Sequence, residues 1–156
     1  MTPPLDSFEA SRHFNHACYH GLFDEALELL SQGADPLWSG KSGKCGLHFA
    51  AMAGHDHLCS FLAQQHPETL NAKDQAGMTP LHLACRNSRT LAARALARGG
   101  ALLDARDDFG RMPADCCSDS RMRSDLFQLQ AEMSIEQWAQ ATLDRSMAAP
   151  SIRNFI

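Results

Sequence analysis

The chain has 156 residues, 44% of them apolar and 21% charged, with a formal net charge of −4 and no run of Lys or Arg. That is the length of one domain with a substantial core, and the charge argues against nucleic acid and anionic membrane as partners. Val is absent, Ile occurs only at 135, 152 and 156, and Tyr only at 19, whereas Ala and Leu are plentiful, so an all-α fold is predicted.

No stretch of about 18 apolar residues is present. The opening MTPPLDSFEA is neither basic nor apolar enough for a signal peptide, so a cytoplasmic setting is expected. Six cysteines, at 18, 45, 59, 85, 116 and 117, form no CxxC pair and read as reduced structural thiols. Eleven Arg against three Lys, with abundant Ala, hints at a GC-rich and bacterial coding genome.

The first predicted helix is capped by Ser7 and carries Phe8, Phe14, Ala17 and Cys18, with Gly21 ending it through a left-handed residue. A second helix runs from Asp24 to Ser31, its Asp24 and Glu25 placed where the helix dipole favours acid, and Gly33 closes it. From Gly40 the pattern restarts. Leu47 and His48 precede Leu81 and His82 by 34 residues, and Gly43 precedes Gly77 by the same step. Gly77 and Gly110 are 33 apart, as are Pro80 and Pro113, Ala17 and Ala50, and Gly21 and Gly54. Four units at this period define a repeat array.

The third unit is the most regular. In DQAGMTPLHLAC, residues 74–85, Gly77 suits a tight turn, Thr79 caps a helix, and Pro80 occupies its first turn. This stretch closely resembles an ankyrin repeat, and the resemblance extends over about residues 7–132. It implies an all-α solenoid of stacked helix-turn-helix units with short β-turn fingers. The array is assigned to residues 1–133, with units of about 7–39, 40–73, 74–106 and 107–133, followed by a C-terminal helix and tail over 134–156.

Departures from the family pattern carry expectations of their own. Unit two has Cys45-Gly46 in place of Thr-Pro, so Cys45→Thr with Gly46→Pro is expected to stabilise by roughly 1–2 kcal/mol. An extra residue near Gln65–Leu70 lengthens the turn after that unit's second helix. Ser88 replaces the inter-helix glycine of unit three, so that turn is strained or differently closed. Unit four has Met112 for Thr and Asp115 for His, and its second helix is placed at about Arg123–Glu132. Ser134 then caps a last helix to about Met147, with Ile135, Trp138, Thr142 and Leu143 at helical spacing. Trp138 either seals the stack, or this helix or Phe155-Ile156 docks on a partner.

Chemistry-bearing patterns are weak. His13, His16 and His20 recur at i, i+3 and i+7, with His55 and His57 further along, but His13 and His16 fall in columns that face the stack. His48 and His82 occupy the TPLH position, where the family resemblance implies a local hydrogen bond tying neighbouring units. No phosphate loop, HExxH, GxSxG or dinucleotide signature occurs. No catalytic residue, metal site or cofactor is predicted, and the chain is not expected to be an enzyme.

The resemblance implies a protein-interaction module that binds another protein on the concave side, built from finger tips and the first helix of each unit. Mapping column by column gives Tyr19, His20, Trp38, Lys41, Lys44, Met52, Gln75, Met78, Arg86, Asn87, Asp108, Phe109 and Arg111 as partner-binding residues. Their aromatic, Met and Arg content is that of interface hot spots. A bacterial effector, secreted without a cleavable signal, and an immunity or antitoxin protein are alternatives within this class. A small His/Cys metal-binding or redox protein is the competing class. The oligomeric state is read as a monomer or a weak homo-oligomer through the C-terminal helix.

Overall fold

The computed structural model describes residues 5–148, with 137, 138, 141, 142 and 144–148 described by their backbone alone. Among the described residues seven α-helices follow one another: α1 (Ser7–His20), α2 (Phe23–Ser31), α3 (Gly46–Ala53), α4 (Asp56–Gln65), α5 (Pro80–Arg86), α6 (Thr90–Arg98) and α7 (Ser120–Ala148). Short 3₁₀ turns occupy Gly40–Ser42, Pro67–Thr69 and Pro113–Cys116, and there is no β-strand among the described residues. α1, α3, α5 and the Pro113–Cys116 turn stack as an inner row, and α4, α6 and α7 as an outer row.

Small side chains bring the inner helices together. Ala17, Ala50 and Ala84 form one fully buried column, and Cys18, Ala51 and Cys85 the next. Leu58, Leu62 and Leu96 fill the space between the rows, and Phe23 of α2 meets Phe61 of α4 edge-on at 5.4 Å. All six cysteines are free thiols. Burial pushes the Cys59 thiol up to about 12 and raises Cys18 and Cys45 as well, so these groups stay protonated and act as small apolar residues.

Hydrogen bonds tie each unit to the next. His82 Nδ1 lies 2.8 Å from Thr79 Oγ1 and accepts the Thr79 N–H, while Nε2 donates to the Arg111 carbonyl at 2.9 Å. His48 repeats this with Cys45 and the Met78 carbonyl. In unit one Asn15 stands in the same column, and its Nδ2 donates to the Lys44 and Trp38 carbonyls at 3.3 and 3.1 Å. A carboxamide thus performs the imidazole's bridging role.

Three expectations need correction. Gly46 cannot become Pro without cost, because a Cβ there would press into the Phe14 ring and stand 3.0 Å from Cys18 Sγ. Phe14 fills a position that Leu47 and Leu81 hold in later units, so the residue facing it must be small. Second, α7 is continuous from Ser120 to Ala148, with no break before Ser134. Ser134 donates its hydroxyl to the Gln130 carbonyl one turn back instead of capping a new helix. Third, Asp6 precedes the first residue of α1, while Ser7 Oγ donates to the Gly33 carbonyl. The alternatives for Trp138 and for Phe155-Ile156 concern groups outside those described.

Candidate functional site

The fingers are built by aspartates. Asp74 Oδ1 accepts the N–H groups of Ala76 and Met78, both at 2.9 Å, and the turn closes through Asp74 N–H to the Met78 carbonyl. Asp107 does the same with Phe109 and Arg111. Although desolvation opposes ionisation of Asp107, those N–H donors and the Arg111 guanidinium, 2.9 Å away, hold its carboxyl below the usual range. The first finger has Gly40 in the aspartate's column and winds into a 3₁₀ turn. Adjacent fingers join through Asp108 N–H to the Ala76 carbonyl and through Gln75 Nε2 to the Lys41 carbonyl.

Along the inner surface, Tyr19, His20, Lys41, Gln75, Arg86, Asn87, Asp108, Phe109 and Arg111 are exposed, and Trp38, Lys44 and Met52 half-buried. Met78 is the correction: its side chain is 2% exposed, so it packs beneath the finger and offers only its carbonyl, to His48. Phe109, 76% exposed, carries the Arg111 guanidinium 5.0 Å from its ring centroid. Lys44 pairs with Asp74 across units at 3.4 Å.

Tyr19, Trp38 and Lys41 converge on one cleft of about 470 Å³ at the first two units, lined also by Arg12, Asn15, His16, Ser39, Gly40, Ser42 and Phe49. Tyr19 and Phe49 meet edge-on at 6.2 Å, and Trp38 stands edge-on to Phe8 at 5.3 Å. His16, expected to face the stack, is exposed in this cleft. Its column passes from buried Leu83 through half-buried Phe49 to exposed His16, so the same register meets less cover toward the N-terminal end. Column matching to the most regular unit hid Arg12, His16 and Phe49, whose exposure depends on the neighbouring finger.

His16 and His20 rings are 4.4 Å apart, and His55 Nε2 lies 3.0 Å from the Tyr19 carbonyl. Among the described residues no group of three or more His, Cys, Asp or Glu is placed to hold a metal ion, and no helix is long and apolar enough to cross a membrane.

Paired helices in two rows, bearing fingers that leave one face open, define a repeat-type interaction scaffold. The profile of the family described as ankyrin repeats (3 copies) matches residues 14–107. The chain belongs to the ankyrin repeat family, and it is a protein-interaction module. It is 30% identical over 115 residues to the target of rapamycin complex 2 subunit AVO2 of Saccharomyces cerevisiae, covering 72% of this chain and 27% of that protein. It is 38% identical over 74 residues to protein phosphatase 1 regulatory subunit 27 of Homo sapiens, 47% of each chain. With cyclin-dependent kinase 4 inhibitor B of Homo sapiens the identity is 33% over 104 residues, 66% of this chain and 74% of the relative. The first two of these relatives are thus spanned over less than half their length.

Proposed function

We propose that the chain is a non-catalytic adaptor that binds one partner protein on its concave face, through the exposed row from Tyr19 to Arg111. The observation that carries this reading is the density of aromatic and cationic side chains on a surface whose backbone is fixed by hydrogen bonds between units. A preorganised platform loses little conformational entropy on binding, so its contacts translate efficiently into affinity. Two relatives are named as a phosphatase regulatory subunit and a kinase inhibitor, which makes an enzyme a reasonable kind of partner to test first.

A photo-crosslinking amino acid placed at Lys41 or Arg86, on the inner surface, tests the reading against Leu91 or Arg98, on the outer row. One common protein adduct from the two inner positions, absent from the outer pair, is expected. The same adduct formed from Leu91 or Arg98 would move the binding surface to the other side.

A further inference from the structure

The cleft at the first two units has a chemistry different from the chain as a whole. The protein is net −4, yet Arg12, His16 and Lys41 line this cleft and no carboxylate does. Elsewhere on the inner surface Lys44 is answered by Asp74 and Arg111 by Asp107, while Arg86 stands apart from this cleft. Arg12 and Lys41 pair with no carboxylate among the described residues. The walls between them are aromatic: Tyr19 is 46% exposed, and Phe49 and Trp38 are half-buried.

The lining is also held in place. Trp38 lies over Gly40, where a Cβ would stand 3.2 Å from the indole ring. Asn15 anchors the first finger through its Nδ2, leaving its Oδ1 buried without a hydrogen-bond partner.

Resting on the concave-face reading above, we infer that this cleft receives a short acidic–apolar segment of the partner. A bulky apolar side chain seats between Tyr19, Trp38 and Phe49, and flanking carboxylates meet Arg12 and Lys41. Aromatic walls favour the apolar side chain, while unpaired cations select its acidic neighbours and repel a basic segment.

The test is an NMR titration of the isotopically labelled full chain with three synthetic nonapeptides. One has a central tryptophan flanked by aspartates, one the same tryptophan flanked by lysines, and one aspartates around a central glycine. The first should shift the Tyr19, Lys41 and Phe49 amides and bind about tenfold more tightly than either control. Its affinity should fall with added NaCl, and Lys41→Glu, an exposed position, should weaken it by about tenfold with an unchanged spectrum elsewhere. Arg12→Glu serves as a second variant. Equal binding of the lysine peptide, no effect of either charge reversal, or tighter binding of oligouridylate at the same amides would overturn the inference. The outcomes remain separable from those of the wider reading. If a partner crosslinks at Arg86 while the cleft ignores the acidic peptide, only the cleft assignment fails; if it crosslinks at Leu91 or Arg98, the concave-face reading fails first.

Discussion

Ser88 has φ 55°, in the inter-helix position that Gly21 (φ 71°) and Gly54 (φ 93°) fill in the two preceding units, and it is the single non-glycine at positive φ among the described residues. A Cβ in the left-handed region costs roughly 1–2 kcal/mol, partly offset because glycine adds freedom to the unfolded chain. Ser88→Gly should therefore raise stability by about 0.5–1 kcal/mol, read as a higher urea midpoint at constant m. The hydroxyl's 3.1 Å contact with Ser118 Oγ is exposed and contributes little against this. That strain was legible in the sequence, since a missing glycine at a periodic position is a local signal. The reason for Gly46 was not. It lies in Phe14, a residue 32 positions earlier in another unit, and no single column shows the two together. Gly46→Pro alone should destabilise by about 1–3 kcal/mol through overpacking, and adding Phe14→Leu should recover most of the loss. Independent, additive effects in that double-mutant cycle would disprove the coupling. Cys45→Thr without the proline should still gain a few tenths of a kcal/mol to about 1 kcal/mol, by giving His48 the hydroxyl that Thr79 gives His82.

The stacking of inner helices depends on these buried imidazoles. His48 is fully buried, its Nδ1 accepts the Cys45 N–H, and its Nε2 donates to the Met78 carbonyl at 2.9 Å, so both ring nitrogens are engaged by the neutral form. Burial lowers its pKa from the ordinary 6.5. The unfolded chain then binds the proton more readily than the folded one. Stability is complete above pH 6.5, declines as pH falls below it, and levels off once the lowered folded pKa is passed. His48→Gln, which can still bridge to the Met78 carbonyl as Asn15 does to Lys44, should remove part of that acid slope. An unchanged slope between about pH 7 and 5, the range around an ordinary histidine pKa, would place the acid sensitivity elsewhere. At this scale the sequence was informative about helix starts, where Thr79 and Pro80 act within one turn, and misleading about α7. Ser134 has the side chain of a cap, but the segment from Ser120 to Ala148 contains no Gly or Pro to stop the helix. Propensity carried it through.

A repeat stack is only as stable as its ends, because each unit borrows its core from its neighbours. At the C-terminal end the inner position is reduced to the four-residue turn Pro113–Cys116, and α7 supplies the cover. Met122 and Leu126 are buried against the stack, Leu129 and Met133 pack on its edge, and Asp125 pairs with Arg94 of α6 at 2.6 Å. Beyond Met133 the described side chains are exposed, including Ile135 at 66% and Leu143 at 60%. At about 1.5 Å per residue the 29-residue helix is far longer than the α6 helix of 9 residues that it covers. The buried and half-buried side chains from Met122 to Met133 therefore supply the cap. Truncation after Met133 should shift Tm by no more than about 2 °C, whereas Leu126→Ala should cost about 2–4 kcal/mol. Hydrogen exchange should then locate the loss: α5 and α6 lose protection first in Leu126→Ala, while α1 and α3 keep theirs. If the truncated chain melted as early as Leu126→Ala, the cap would have to extend past Met133. Sedimentation of the same truncated chain reads self-association. A pair of copies joined through Ile135 and Leu143 would fall to the single-chain mass, and an unchanged mass would refute that pairing.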